Sequence, residues 1–227
     1  MTKRVEGTHM GKDGAPGLPG RRTQAARNDE VILEAARAVF VEDPKAPVSA
    51  VAARAGVGIS ALYRRYGSKE ELLRRLCHDG LRTFAAEAER AAADPDPWRA
   101  FTGFLRRVVD ADVHSLAVHL AGSFTPTEEM NRDAVRAAEL GAALVVRARE
   151  AGRLRADVVP DDVTLVLEGC AAIRLLDAER TRQLRKRHLA LLVAGMDAAG
   201  GPSTGEGAAE LPGPPPEAAE LAWRWSR

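Results

Sequence analysis

The chain has 227 residues, of which 45% are hydrophobic and 29% charged, with a formal net charge of +1. A chain of this size and polarity buries a core without disulfides or metal, and any affinity for nucleic acid must come from local charge rather than the total. No run approaches 18 apolar residues, and the first 20 residues lack an apolar signal core, so a membrane span and a secretory signal are excluded and a cytoplasmic, nucleoid-associated protein is expected.

Aromatics are 4%, and Ala, Leu, Arg and Glu outweigh Val, Ile and Thr, which favours an all-α fold. Residues 1–22 are rich in Gly and Pro and are expected to be a disordered arm, as is the tail 200–227 with its Pro212–Pro216 run. The arm ends near Arg21, Arg22 and Arg27, which could reach a neighbouring groove; Trp223 and Trp225 could pack locally. Between the arms the apolar periodicity predicts helices over 23–42, 49–55, 59–66, 68–93, 97–115, 116–122, 127–151, 160–176 and 179–199. Ser49 is a candidate N-cap and Gly56 a C-terminal stop. Ser68 with Glu71 three residues on is a capping-box pattern, and Pro97 and Pro160 suit the first helical turn.

The informative stretch is residues 48–73, VSAVAARAGVGISALYRRYGSKEELL. Two short helices joined by Ala55-Gly56-Val57-Gly58 have the spacing of a helix-turn-helix, whose second helix enters the major groove. Val51, Ala52, Ala55, Val57 and Leu62 can pack the pair together, leaving Ile59, Ser60, Ala61, Tyr63, Arg64 and Arg65 to face outward. From Pro44 to Lys69 there are five basic residues and no acidic one, so a nearly neutral chain concentrates positive charge where a phosphate backbone would lie.

Residues 27–73 resemble the N-terminal domain of tetracycline-repressor (TetR) family regulators. The resemblance rests on Ile32-Leu33-Glu34-Ala35-Ala36 with Phe40, on Val51-Ala52-Ala53-Arg54-Ala55-Gly56-Val57, on Leu62-Tyr63-Arg64-Arg65-Tyr66 and on Ser68-Lys69-Glu70-Glu71-Leu72-Leu73. The second half matches in helix number and length, and in the loop Glu150–Val158. The resemblance implies a helix-turn-helix domain over 23–67 and a helical effector-binding and dimerisation domain over 68–199. It places Ser49 at the start of the helix that crosses the backbone, Ser60, Ala61, Tyr63 and Arg65 against bases or phosphates, and Lys69 on phosphate; Ile59 and Arg64, facing outward with them, complete the expected DNA-contact set. Gly58, Ile59 and Ala61 depart from the commoner Ser, polar residue and Thr, which shifts base reading toward apolar contact with thymine methyls and toward Arg64 or Arg65.

The resemblance further implies a ligand pocket in the helical domain, for which Phe84, Trp98, Phe101, Phe104, Leu105, Val108, His119, Phe124 and Leu144 are the candidates; ordinary core remains the alternative for each. A small apolar or aromatic molecule is the expected ligand. The dimer interface is expected on the last two helices, with Val166, Gly169, Ile173, Leu189, Leu192 and Met196. His78, His114, His119 and His188 have no metal-ligand spacing, Cys77 and Cys170 read as buried thiols, and no nucleophile or phosphate-loop motif occurs, so neither a metal, a cofactor nor an enzyme is expected. The reading is a ligand-responsive homodimeric repressor binding double-stranded DNA. A DNA-binding activator or architectural protein without effector is the alternative, and a helical-bundle enzyme the third.

Overall fold

The computed structural model describes residues 19–120, 122–199, 211–217 and 220, with side chains from Asn28 onward. The described residues form nine helices: α1 (Pro19–Glu42), α2 (Val48–Ala55), α3 (Ile59–Tyr66), α4 (Lys69–Ala92), α5 (Pro97–Asp110), α6 (Val113–Leu120), α7 (Glu128–Glu150), α8 (Pro160–Ala172) and α9 (Ala178–Met196). The all-α fold follows the composition, and the helix ends follow local chemistry. Ser68 Oγ accepts the Glu71 N–H at 3.0 Å, Asp96 accepts from Trp98 and Arg99, Thr127 accepts from Met130, and Asp177 accepts from Glu179 and Arg180. Each satisfies a backbone donor that the helix itself leaves open. Glu71 does not reach back to complete a capping box; its carboxylate pairs with Arg74.

Two apolar cores share α4. The first gathers Ile32, Ala36 and Phe40 of α1, Val51 of α2, Leu62 of α3 and Leu72, Leu73 and Leu76 of α4, and extends to Leu116, Leu120, Phe124 and Met130. The second gathers Ala88 and Ala91 of α4 with Phe101, Phe104, Leu105 and Val108 of α5, Leu144 and Val145 of α7, and Leu167, Leu189 and Val193 of α8 and α9. After α7 the chain turns at Gly152 and forms a single antiparallel bridge between Leu154 and Asp197, in which Arg155 N donates to Met196 O and Ala198 N to Arg153 O. That bridge stops α9 at Met196, short of the expected 199.

Several expected boundaries move. α1 begins at Pro19, inside the segment expected to be an arm; residues 1–18, Trp223 and Trp225 lie outside the described residues, as do the side chains of Arg21, Arg22 and Arg27. In the tail, the Leu211 N–H donates to Asp157 Oδ2 at 3.0 Å. α5 ends at Asp110 rather than 115, because Asp112 takes φ +52°, a left-handed conformation that Asp tolerates better than most residues. α8 ends at Ala172 rather than 176, where Ile173 turns extended.

One buried side chain accounts for both breaks. Arg185, only 3% exposed, ion-pairs with Asp112 Oδ1 at 2.6 Å and donates to the carbonyls of Ile173 at 3.0 Å and Ala171 at 3.4 Å. It holds the α5–α6 corner and caps the open carbonyls at the end of α8. His114 follows Asp112 by two residues and is also buried. Burial holds its imidazole near a pKa of about 4, against the upward pull of Asp112 and with a further lowering from Arg185.

Two outcomes follow. Arg185→Met leaves carbonyls unmet and Asp112 unpaired, and is expected to cost about 3 kcal/mol in urea unfolding, the low end for such a pair because Asp112 keeps part of its solvent contact. His114 is neutral when folded and has an ordinary value of 6.5 when unfolded, so the unfolded chain binds more protons between those values. Its contribution is complete above pH 6.5 and is lost as pH falls toward about 4, on the order of 3 kcal/mol in total. A His114→Phe variant that loses stability over that window as steeply as the parent would contradict this.

Candidate nucleic-acid interface and ligand cavity

α3 has one buried face and one open one. Leu62 and Tyr66 sink into the first core, while Ile59 (43% exposed) and Tyr63 (44%) stand out with Ser60 and Arg64. Those four sit at i, i+1, i+4 and i+5, a single helical face. Ala61 is half-buried at its edge. The turn before α3 needs Gly56, whose φ of +67° is strained for residues with a Cβ. Ser49 does not cap α2 as expected: the cap position is Pro47 and the helix starts at Val48, which leaves Ser49 exposed in the first turn. Neither α2 nor α3 carries an acid in its first turn, and among the described residues Lys45, Arg54 and Arg64 make no ion pair.

The end of α3 is clamped. Arg65 ion-pairs with Asp29 of α1, its Nε donating to Asp29 Oδ1 at 2.7 Å, and the Tyr66 hydroxyl donates to the same oxygen at 2.8 Å. The Arg65 hydrogen bond holds the Asp29 carboxyl below the usual range, and burial together with Asp29 pushes the Tyr66 phenol up. Arg65 keeps more than half of its side chain in solvent, so it can face a phosphate while paired. Lys69 departs further from expectation. Its ammonium donates to the carbonyls of Ala46 at 2.7 Å and Pro44 at 3.3 Å and lies 5.1 Å from the Phe40 ring centroid. Rather than standing free to grip phosphate, it ties the start of α4 to the loop between α1 and α2.

A cavity of about 780 Å³ lies among α4, α6, α7 and α8. Of the nine expected ligand residues it is lined by Phe84 alone. Phe101, Phe104, Leu105, Val108 and Leu144 fill the second core, and Phe124 belongs to the first. Trp98 packs on Phe101, with ring centroids 5.8 Å apart, and beneath Arg153. His119 donates through Nδ1 to the Ser115 carbonyl at 2.6 Å. Its apolar wall combines Leu81, Val113, Val118, Met130, Val163 and Leu167 with many small residues: Gly80 of α4, Ala117 of α6, and Ala134, Ala137, Ala138, Gly141 and Ala142 of α7. Bulky side chains occupy space and close the core, whereas small ones on facing helices leave room. The signal was present as a small-residue stripe at helical spacing on α7. The polar part of the wall includes His114, Asn131, Glu139, Asp161, Thr164 and Glu168, and no Lys or Arg lines it. Neither His114 ring nitrogen has a hydrogen bond of normal geometry; the Val108 carbonyl is the one backbone acceptor that favours its protonated form.

Among the described residues, His78, Glu129 and Asp133 bring ligand-type atoms within 4.8 Å of one another. The set is already balanced by charge: His78 Nε2 meets Asp133 Oδ2 at 2.8 Å, and Arg82 pairs with Glu129 at 2.9 Å and Asp133 at 3.7 Å.

On α8 and α9 the expected interface set divides. Leu189 and Met196 are buried in the chain's own core, and Ile173 gives its carbonyl to Arg185. Val166 and Leu192 are half-buried, packed against that core, and a Cβ on Gly169 would meet His188 Nε2 at 3.2 Å. The apolar side chains left in solvent are Leu165, Leu175, Leu176 and Leu191, one helical turn or less from those expected.

Residues 32–76 match the family described as bacterial regulatory proteins, tetR family, and residues 96–198 match the SbtR-like transcriptional regulator C-terminal domain. No curated protein matches the chain. Among solved structures, the TetR transcriptional regulator SCO0520 from Streptomyces coelicolor aligns with a TM-score of 0.54 at 24% identity, covering 74% of this chain and 97% of that one. The ketosteroid transcriptional regulator KstR2 of Mycobacterium tuberculosis gives 0.55 at 21%, covering 75% and 95%. The TetR-like regulator LfrR from Mycobacterium smegmatis, solved in complex with proflavine, gives 0.51 at 22%, covering 72% and 95%. At these identities the structures share the fold. The two sequence matches cover the helix-turn-helix and most of the helical domain, and by them the chain belongs to the TetR family of DNA-binding transcriptional regulators.

Proposed function

We propose that this regulator is a homodimeric repressor that leaves a palindromic operator when a small ligand enters the α4–α8 cavity. The observation that carries the reading is the placement of α4. Its first residue, Lys69, is tied to the loop between α1 and α2 that leads into the helix-turn-helix, and Cys77, Gly80, Leu81 and Phe84, further along the same helix, line the cavity. A ligand that prefers one tilt of α4 changes the separation of two recognition helices in a dimer. Only differential affinity does this, and moving a 1:99 population to 99:1 takes about 5.5 kcal/mol of it. That LfrR was solved in complex with proflavine supports a regulator of this fold taking a small molecule.

On this reading Ile59, Ser60, Ala61, Tyr63 and Arg64 meet the major groove, Ser49 and Arg65 meet phosphate, and Lys69 sets the angle between α4 and the reading head. The alternative, a regulator without effector, predicts the same DNA contacts and no ligand release. Arg64→Ala should weaken binding to a footprinted genomic fragment by about tenfold and lower the slope of log affinity against log salt by about 0.9. Tyr63→Ala should weaken binding without changing the slope. Unchanged fluorescence anisotropy titrations for both variants would sink the assignment of α3 as the reading helix.

Exposed Leu165 of α8, Leu175 and Leu176 of the loop after it and Leu191 of α9 support self-association through this end of the chain. Leu191→Glu would place an unpaired charge in that contact, at a cost of about 3 kcal/mol or more. Sedimentation should then show a dimeric parent and a monomeric variant at micromolar concentration; a monomeric parent would overturn the dimer.

A further inference from the structure

The cavity has a charge pattern that narrows its ligand beyond apolar and small. Two carboxylates stand at its edge, Glu139 exposed on α7 and Asp161 half-buried at the start of α8, and neither is ion-paired among the described residues. Glu168, which has an interaction of its own, adds a third. No Lys or Arg is among the described residues of the wall, and the partial positive charge of the α8 N-terminus is offset by Asp161 and Asp162 in its own first turn. The potential inside therefore favours positive charge, and the low-dielectric apolar wall strengthens that preference.

A second, independent feature points to a ligand. His114 is 5% exposed and lines the cavity, with no normal hydrogen bond to either ring nitrogen. A buried polar group left unmet is costly, and such groups normally have a partner. We propose that the cavity takes a lipophilic cation: an apolar, ring-sized body whose delocalised positive charge faces Glu139 and Asp161 and whose N–H donates to the neutral imidazole of His114. An imidazole that burial keeps unprotonated offers one acceptor lone pair and adds no opposing charge. The volume of about 780 Å³ lies within the range of sites that enclose drug-sized molecules. Anionic effectors, including acyl carboxylates, are disfavoured by the same field.

This inference rests on reading the cavity as the effector site, and the test separates the two. Three probes share one body and differ in charge at pH 7: 4-amino-2-phenylquinoline as the cation, 2-phenylquinoline as the neutral form, and 2-phenylquinoline-4-carboxylate as the anion. Calorimetry on the DNA-free protein should give the cation an affinity about tenfold above the neutral probe, with the anion weakest. The Glu139→Gln/Asp161→Asn variant should bring cation and neutral probe to similar affinities without weakening the neutral one; Glu139→Gln alone, at an exposed position, should halve the preference or more. His114→Phe should weaken the cation by about tenfold, and His114→Gln, which keeps an acceptor, should recover part of it. Neutral or anionic probe binding as tightly as the cation, a preference unchanged in the double variant, or no binding by any probe overturns the inference. Release of the genomic fragment is read separately by anisotropy. Cation binding without release refutes the effector role and leaves the ligand class standing.

Discussion

Helix α4 buries apolar side chains in two cores that otherwise have separate members. Leu72, Leu73 and Leu76 complete the packing of α1, α2 and α3, and Ala88 and Ala91 lie under α5. Its 24 residues span about 36 Å at 1.5 Å per residue, so one rigid rod joins the two halves. Neither core could adjust to a displacement of α4 without losing contacts at close-packed density. The helix-turn-helix is therefore placed by the same helix that places the helical domain.

Polar clamps make that placement definite at both ends. At the reading head, Asp29 receives Arg65 and Tyr66, and Lys69 binds the loop carbonyls before α2, so α3 cannot slide along α1. At the far side, Arg185 ties the α5–α6 corner to the end of α8. These are short-range, directional contacts, and they fix helix ends that apolar burial alone would leave free to extend or slip. Arg174 adds a smaller link, donating from the loop after α8 to the Glu42 carbonyl at the end of α1 at 2.8 Å. Arg185 of α9 meets Asp112, two residues before the cavity-lining His114, and the carbonyls at the end of α8.

The cavity shows how function can lie in what side chains leave out. Aromatic residues of α5 interlock, Phe104 meeting Phe84 edge to face at 5.0 Å, and close the second core. Beyond Phe84 the α7 face carries Ala134, Ala137, Ala138, Gly141 and Ala142, and a Cβ at Gly141 would come within 3.7 Å of that ring. The large residues define the wall, and the small ones define the space.

The reading helix, its order with its neighbours and the all-α architecture were legible in the sequence, because they depend on local signals. Periodicity within one helix, a Gly at a left-handed turn, and a Ser or Asp before a helix each act over a few residues. The open face of α3 was legible for the same reason, since burial of Leu62 and Tyr66 leaves the other side out. What the sequence could not state is which long-range partner claims a side chain. Lys69 and Arg65 look alike as basic residues near a recognition helix, yet one is held by backbone carbonyls and the other by a carboxylate 36 positions away. The sequence pattern places a helix break between 115 and 116, and only the pairing of Asp112 with Arg185, 73 positions on, sets it instead between Asp110 and Val113. Whether an apolar residue closes a core, lines a cavity or faces solvent was likewise settled by the relative rotation of packed helices. One-dimensional patterns carry the face of each helix, and tertiary packing alone decides what each face meets.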